Sequence, residues 1–409
     1  MATTEQVAPF ATVPSNVGHK LLQFKVHIDE QKLHDMNTLI RLSPIAKDTY
    51  ENQTRERGFG VSRQWMLDAK STWLDGFNWR DTEAHINSFP NYKTTITDDD
   101  GRTFSLHFLA LFSERKDAVP ISFFHGWPGS ILEFLPMMDI LREKYTPQDL
   151  PYHIIVPSLP GYGFSQQPPL DSNWRLKDTS RLMHKLLLSL GFDRYITQGG
   201  DIGSYVSRIL AVTYPECAAC HLNFCCMDAP TSVSDSALSP LEAKQLSRGK
   251  RFMENGHAYA DLHATRPATI AYLLSASPVA LLAWLAEKFL EWSDVDIPLP
   301  TILANTSLYW LTESFPSSIY TYREEEAPFH GLQQAYLEKP LGYSFFPYEL
   351  LPVPRAWAAR TGRLVWAREH SSGGHFAALE RPDAFIGDVE DFMGVLAGES
   401  IDAQEGRSG

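Results

Sequence analysis

Beyond Pro120 the chain settles into short, largely apolar runs, Ile121 to Phe124, His153 to Val156, Tyr195 to Thr197, His221 to Cys225 and Leu364 to Ala367, with helical patterns between them. A strand covered on both faces reads as a continuous apolar run, and parallel neighbours need a crossover, usually a helix, to join them. The rhythm therefore predicts an α/β fold around a central, mostly parallel sheet. Between the fourth and fifth runs, the stretch from roughly Ala229 to His330 is too long for a simple crossover and is rich in Leu, Ala and Trp, which predicts a helical lid inserted in the core. Within it the 20 residues from Pro267 to Ala286 carry no charge, a length sufficient to cross a bilayer. Ser277-Pro278 interrupts them as an N-cap followed by proline at the first helical position, so two shorter buried helices are expected.

The material ahead of this rhythm is of another kind. A strand is expected over Leu22 to Ile28, followed by helical sequence containing Trp65, Trp73 and Trp79. A hairpin comes next, with arms Tyr92 to Ile96 and Phe104, Leu106, Phe108 joined through Asp98-Asp99-Asp100-Gly101, an acidic run that reads as a solvated turn and not a calcium site. The expected divisions are 1–115 for an N-terminal extension with this hairpin, 116–228 and 331–409 for the two parts of the core, and 229–330 for the lid. A frayed tail ends the chain. With 409 residues, 44% of them hydrophobic, there is ample apolar surface for such a core. A net charge of -13 without any basic block disfavours nucleic acid and anionic headgroups, so a neutral small molecule is the expected partner. No basic n-region or apolar leader is visible, which predicts a cytoplasmic protein without a transmembrane anchor. Cys217, Cys220, Cys225 and Cys226 crowd one segment and read as reduced, buried thiols, neither disulfides nor zinc ligands. A homodimer is the base-rate expectation for assembly.

Gly199-Gly200-Asp201-Ile202-Gly203 follows one of the short strands and precedes a helical run. Small residues there permit the strained strand-to-helix turn that lifts the middle side chain above a sheet edge, and the lifted group is a carboxylate, Asp201. Alone, the pattern also fits a glycine turn with a helix-capping aspartate. His125-Gly126-Trp127-Pro128-Gly129-Ser130 follows the first buried strand, and the Trp127 amide, with the amide of Ile202, would form an oxyanion hole. Gly161-Tyr162-Gly163-Phe164-Ser165 supplies a second tight loop at the same edge, and neither loop matches a nucleotide-binding pattern. Where such an elbow carries the nucleophile, the chain order is nucleophile, acid, histidine. That order points to His375, just after the last strand, over His370, and leaves His125 a structural role. Glu349 has the order and strand-end position of the orienting acid, with Asp228 as the alternative.

Taken together, the segments HGWPGS (125–130), GYGFS (161–165), GGDIGS (199–204) and GGHFAALERP (373–382) resemble the microsomal-type epoxide hydrolase family, specifically its soluble fungal members, over nearly the whole chain. The resemblance implies an α/β-hydrolase fold wrapped by an N-terminal extension, no cofactor or metal, and a small apolar epoxide and water as substrates. It also implies two lid tyrosines that hold the epoxide oxygen. The matching positions are Tyr259 and Tyr322, with Tyr320 a rival to the latter. An N-terminal anchor helix like that of membrane-bound relatives is not seen.

The residue type at the elbow bears on the reaction. A serine opening an epoxide would leave an ether that water does not readily cleave, whereas a carboxylate leaves a hydrolysable ester. Asp201 is thus expected to attack carbon while Tyr259 and Tyr322 donate to the departing oxygen, and His375, held by Glu349, to activate water. A haloalkane-type dehalogenase would share the aspartate, histidine and acid but carries tryptophan where Ile202 stands. From a different class, a non-catalytic hydrolase-fold binder would fit the same fold.

Overall fold

The computed structural model describes residues 8–15, 17, 21–227, 238–324 and 335–405, with side chains as far as 398. Its nine strands are β1 (Leu22–Gln23), β2 (Asn91–Thr97), β3 (Thr103–Leu111), β4 (Val119–Phe124), β5 (Tyr152–Pro157), β6 (Tyr195–Gly199), β7 (Cys217–Leu222), β8 (Leu337–Phe345) and β9 (Gly362–Glu369). They form one sheet in the order β1-β2-β3-β5-β4-β6-β7-β8-β9. Every pairing from β5 across to β9 is parallel, while β1, β2 and β3 add an antiparallel flank. The central strands β5 and β6 are buried along their length, which is why they read as apolar runs without alternation.

Four details differ from the sequence expectation. The first strand stops at Gln23, because side chains of helix Trp79–Asn87 and its neighbours capture the backbone beyond it: Val26 N–H donates to Asn87 Oδ1 at 2.8 Å and Ile28 N–H to Glu83 Oε1 at 2.6 Å. The fourth run, expected at His221 to Cys225, begins four residues earlier and ends three residues earlier, as Cys217–Leu222. The strand β8 was not anticipated. Glu338, Lys339, Pro340 and Gly342 hide it, and its register with β9 is irregular at Leu337/Pro340. Finally, the acidic turn is not wholly solvated. Asp98 is buried and accepts from Arg181 Nε and Nη2, each at 2.7 Å.

Between β7 and β8, among the described residues, lie helices Pro240–Asn255, Ala258–Thr265, Pro267–Ser275, Pro278–Glu291, Leu299–Leu311 and Phe315–Ser318. Ser277 caps the fourth of these, its hydroxyl accepting from Ala280 N–H at 3.2 Å, and the chain turns through 118° at the break. Among the described residues no single helix is long and apolar enough to cross a membrane. The N-terminal segment is fastened to these helices by one buried and one part-buried contact. Trp73 Nε1–H donates to Ser307 Oγ at 3.1 Å, and Lys32 Nζ donates to the Leu311 carbonyl at 3.1 Å.

Candidate active site

The C-terminal ends of β4, β6, β8 and β9 open toward one region, the edge where parallel α/β sheets place their ligands. At the end of β6 the backbone turns directly into helix Asp201–Thr213. Asp201 has φ of +46°, a left-handed conformation that non-glycine residues rarely adopt. Close packing enforces it. A Cβ on Gly203 would collide with the backbone carbonyl of Phe124 at the end of β4, so only glycine lets the helix start so near the neighbouring strand. Such strain is stored where the surroundings over-determine the conformation, commonly at active sites.

Asp201 begins a hydrogen-bonded file. Its Oδ1 accepts from the Trp127 backbone N–H at 2.7 Å, and its Oδ2 lies 3.2 Å from His375 Nε2. On the other side of the imidazole, His375 Nδ1 is 2.5 Å from Glu349 Oε1, an oxygen that also accepts from the Leu350 N–H. The side chains of His375 and Glu349 are 2% and 3% exposed, whereas that of Asp201 is 20% exposed, so the carboxylate is the open end of the file. Burial works against a charged imidazole, but Glu349 and Asp201 outweigh it and hold His375 well above the usual histidine range.

Backbone contacts fix the two outer loops. Tyr348 and Gly374 form an isolated parallel bridge, bringing the loop after β8 against the loop after β9. The His375 N–H donates to the Trp292 carbonyl at 3.0 Å, and the Gly373 N–H donates to Asp294 Oδ2 at 2.8 Å. Residues following helix Pro278–Glu291 thus hold the histidine loop from outside the sheet. The Ile202 amide lies in the first turn of helix Asp201–Thr213, where N–H groups lack intrahelical acceptors and the helix end favours negative charge.

The tyrosines gather around the indole of Trp127. Tyr259 stacks on it with ring centroids 5.3 Å apart, and Tyr322 stands edge-on to it at 5.9 Å and to Tyr259 at 5.8 Å. Burial, reinforced by the charge of Asp201, keeps the Tyr259 phenol far above its ordinary value. Tyr322 is held high by burial, by Tyr259 and by Asp201, so both hydroxyls keep their protons. Tyr320 is elsewhere. Its hydroxyl is 2.6 Å from Thr179 Oγ1 in a buried contact.

Other candidates fall into structural settings. His125 is buried, its Nδ1 facing the Gly126 carbonyl and its Nε2 accepting from the Leu159 N–H at 3.2 Å, and burial pushes it down to about 4. His370 pairs with Asp388 at 2.6 Å and stacks on Phe346. In the second tight loop, the Tyr162 hydroxyl donates to the Ser318 carbonyl at 2.7 Å. Asp228 lies outside the described residues.

The sequence reading missed several neighbours. Glu133 belongs to a short 3-10 turn, and burial, opposed by His375 and reinforced by Asp201 and Glu349, pushes its carboxyl up to about 8. Its Ser130-x-x-Glu133 spacing reads as a helix start, so nothing in the sequence marked it. The Tyr309 hydroxyl donates to the Gly129 carbonyl at 2.9 Å, His263 meets Trp127 edge-on at 4.6 Å, and Trp292 covers His375 at 5.1 Å. No short motif could have found residues this far apart in the chain. A cavity of about 340 Å³ lined by Phe59, Met66, Ala283 and Trp284 lies between the N-terminal segment and helix Pro278–Glu291, and neither Asp201 nor His375 lines it.

Comparison with known proteins gives a consistent picture. The model for the epoxide hydrolase N terminus matches residues 21–134, and that for the alpha/beta hydrolase fold matches residues 119–262. A protein of Dothistroma septosporum, provisionally named an epoxide hydrolase, is 44% identical over 394 residues, covering 95% of this chain and 94% of its own. The solved structure of Aspergillus niger epoxide hydrolase superposes with a TM-score of 0.90 at 49% identity, covering 94% of this chain and 99% of that one. Rabbit (Oryctolagus cuniculus) epoxide hydrolase 1 is 28% identical over 414 residues, 91% of this chain and 88% of its own.

Proposed function

The chain belongs to the epoxide hydrolase family, and on that premise we propose that it converts an apolar epoxide to a vicinal diol through an ester on Asp201. Asp201 Oδ2 attacks a ring carbon, forming a C–O bond as the strained carbon–oxygen bond breaks. The departing oxygen takes its proton from the Tyr259 and Tyr322 pair, which stabilises charge as it develops. Oδ1 becomes the ester carbonyl. Water, deprotonated by His375 Nε2, then adds to that carbonyl carbon, and the amides of Trp127 and Ile202 receive the oxyanion. Collapse breaks the ester C–O bond, the leaving oxygen takes the proton held by His375 to complete the diol, and the new Asp201 carboxyl returns its remaining proton to His375, restoring the carboxylate.

The observation that carries this reading is the division of labour on one carboxylate, with Oδ1 held by the Trp127 N–H and Oδ2 facing His375. It also accounts for the charged histidine of the free enzyme. Esterification removes the charge of Asp201, one of the two carboxylates that raise His375, so the imidazolium passes its proton, through solvent, to the tyrosinate left by ring opening and is a neutral base when water must be activated. The engagement of the Tyr320 hydroxyl with Thr179 supports Tyr322 as the second donor. Walls formed by Trp127, Trp292 and Phe224 favour an apolar substrate.

The decisive experiment is the intact mass of a His375→Gln variant mixed with excess aryl epoxide, beside the same variant carrying Asp201→Ala. The expected result is an adduct of the epoxide's mass that disappears without Asp201. Normal turnover by His375→Gln, or an adduct that survives loss of Asp201, would remove the assignment.

A further inference from the structure

Lys288 lies on the buried face of helix Pro278–Glu291, only 3% exposed. Its Nζ sits 4.6 Å from the centroid of Tyr259, 5.2 Å from that of Trp284 and 5.9 Å from that of Trp292. Its ion-pair partner is the adjacent Glu287, which reaches solvent. Among the described residues, Glu291 on the same helix and His263 on helix Ala258–Thr265 also feel its charge. His263 accepts from Trp284 Nε1–H at 3.2 Å, and burial together with Lys288 keeps it neutral, so it contributes no competing positive charge.

Burying an ammonium is costly even when it is paired, and a leucine or methionine would fill the same wall without that cost. The charge is directed at an aromatic face, and the nearest ring is that of Tyr259. A cation over a phenol ring is attracted to its electron-rich face, and the attraction grows as the hydroxyl gives up its proton and negative charge spreads into the ring. We infer that Lys288 is a positioning residue for ring opening, holding its charge against Tyr259 so that the phenol donates more strongly to the departing epoxide oxygen. This rests on the assignment of Tyr259 as an oxygen donor. Lys288 itself acts only through that ring.

The test reads ring opening alone, as the rate of adduct formation in the His375→Gln background. Lys288→Met keeps the shape and loses the charge, whereas Lys288→Arg keeps the charge. Adduct formation is expected to slow about tenfold in Lys288→Met, within the range that a desolvated cation–π contact sustains, and to stay near the parent rate in Lys288→Arg. Adding Lys288→Met to Tyr259→Phe should then slow the reaction no further. Parent-like rates in Lys288→Met would overturn the inference, and so would equal slowing in Lys288→Met and Lys288→Arg, which would mark a packing role. If Lys288→Met fails to fold, as judged by its melting temperature, Lys288→Gln carries the same comparison. Failure of the underlying reading is separable, because Tyr259→Phe alone would then form adduct at the parent rate.

Discussion

His375 keeps its proton against burial because Glu349 faces Nδ1 and Asp201 faces Nε2. A group whose pKa is raised on folding contributes stability that is fully present below its unfolded value, about 6.5 for histidine, and is lost as pH rises through the folded value. The free enzyme should therefore lose stability from neutral pH upward. A His375→Gln variant, lacking this titration, should show a flatter dependence over the same window. Melting temperatures of the two proteins from pH 6 to 10 check this, and parallel curves would count against a charged His375. Asp201 and His375 were legible as single residues, because glycines and chain order mark them. Glu133 and Lys288 were not, since a buried carboxyl or ammonium looks in sequence like any surface charge of a helix.

Among the elements, the β2–β3 hairpin shows how a turn can be read correctly in type and wrongly in environment. Asp98 is drawn inward by Arg181 of helix Leu176–Ser189, and the hydrogen bonds from that guanidinium hold its carboxyl below the usual range despite burial. Breaking a buried ion pair leaves the surviving charge uncompensated, at about 3–5 kcal/mol. Arg181 is partly exposed and retains Asp178 at 2.8 Å, so Asp98→Ala should cost less, about 2 kcal/mol, without altering adduct formation. Denaturant unfolding measures it, and a change below about 0.5 kcal/mol, as for an ordinary surface site, would restore the solvated-turn reading. Strand β8 teaches the same lesson from the other side. Buried strands announce themselves by unbroken apolar runs, and one that carries Lys339, Pro340 and Gly342 is recognisable only by its neighbours β7 and β9.

Across the whole molecule, the N-terminal segment and the helices between β7 and β8 are packed as one body around Trp73, which is 1% exposed and bonded to Ser307. Trp73→Ala should cost about 3–5 kcal/mol, as large aromatic truncations in cores do. It should also speed hydrogen exchange in helix Leu299–Leu311. A loss of stability without faster exchange there would mean that the two regions are not coupled. By itself the sequence determined the α/β class, the glycine elbow with its carboxylate, the histidine after the last strand and the helix break at Ser277-Pro278, because each depends on local sterics, capping or apolar periodicity. Tertiary structure showed Glu349 meeting His375, turned Tyr322 and not its neighbour Tyr320 toward Trp127, two points the sequence had left with alternatives, and by itself decided what surrounds Tyr259. These are contacts between residues distant in the chain, created only when sheet order and helix packing bring separate elements together.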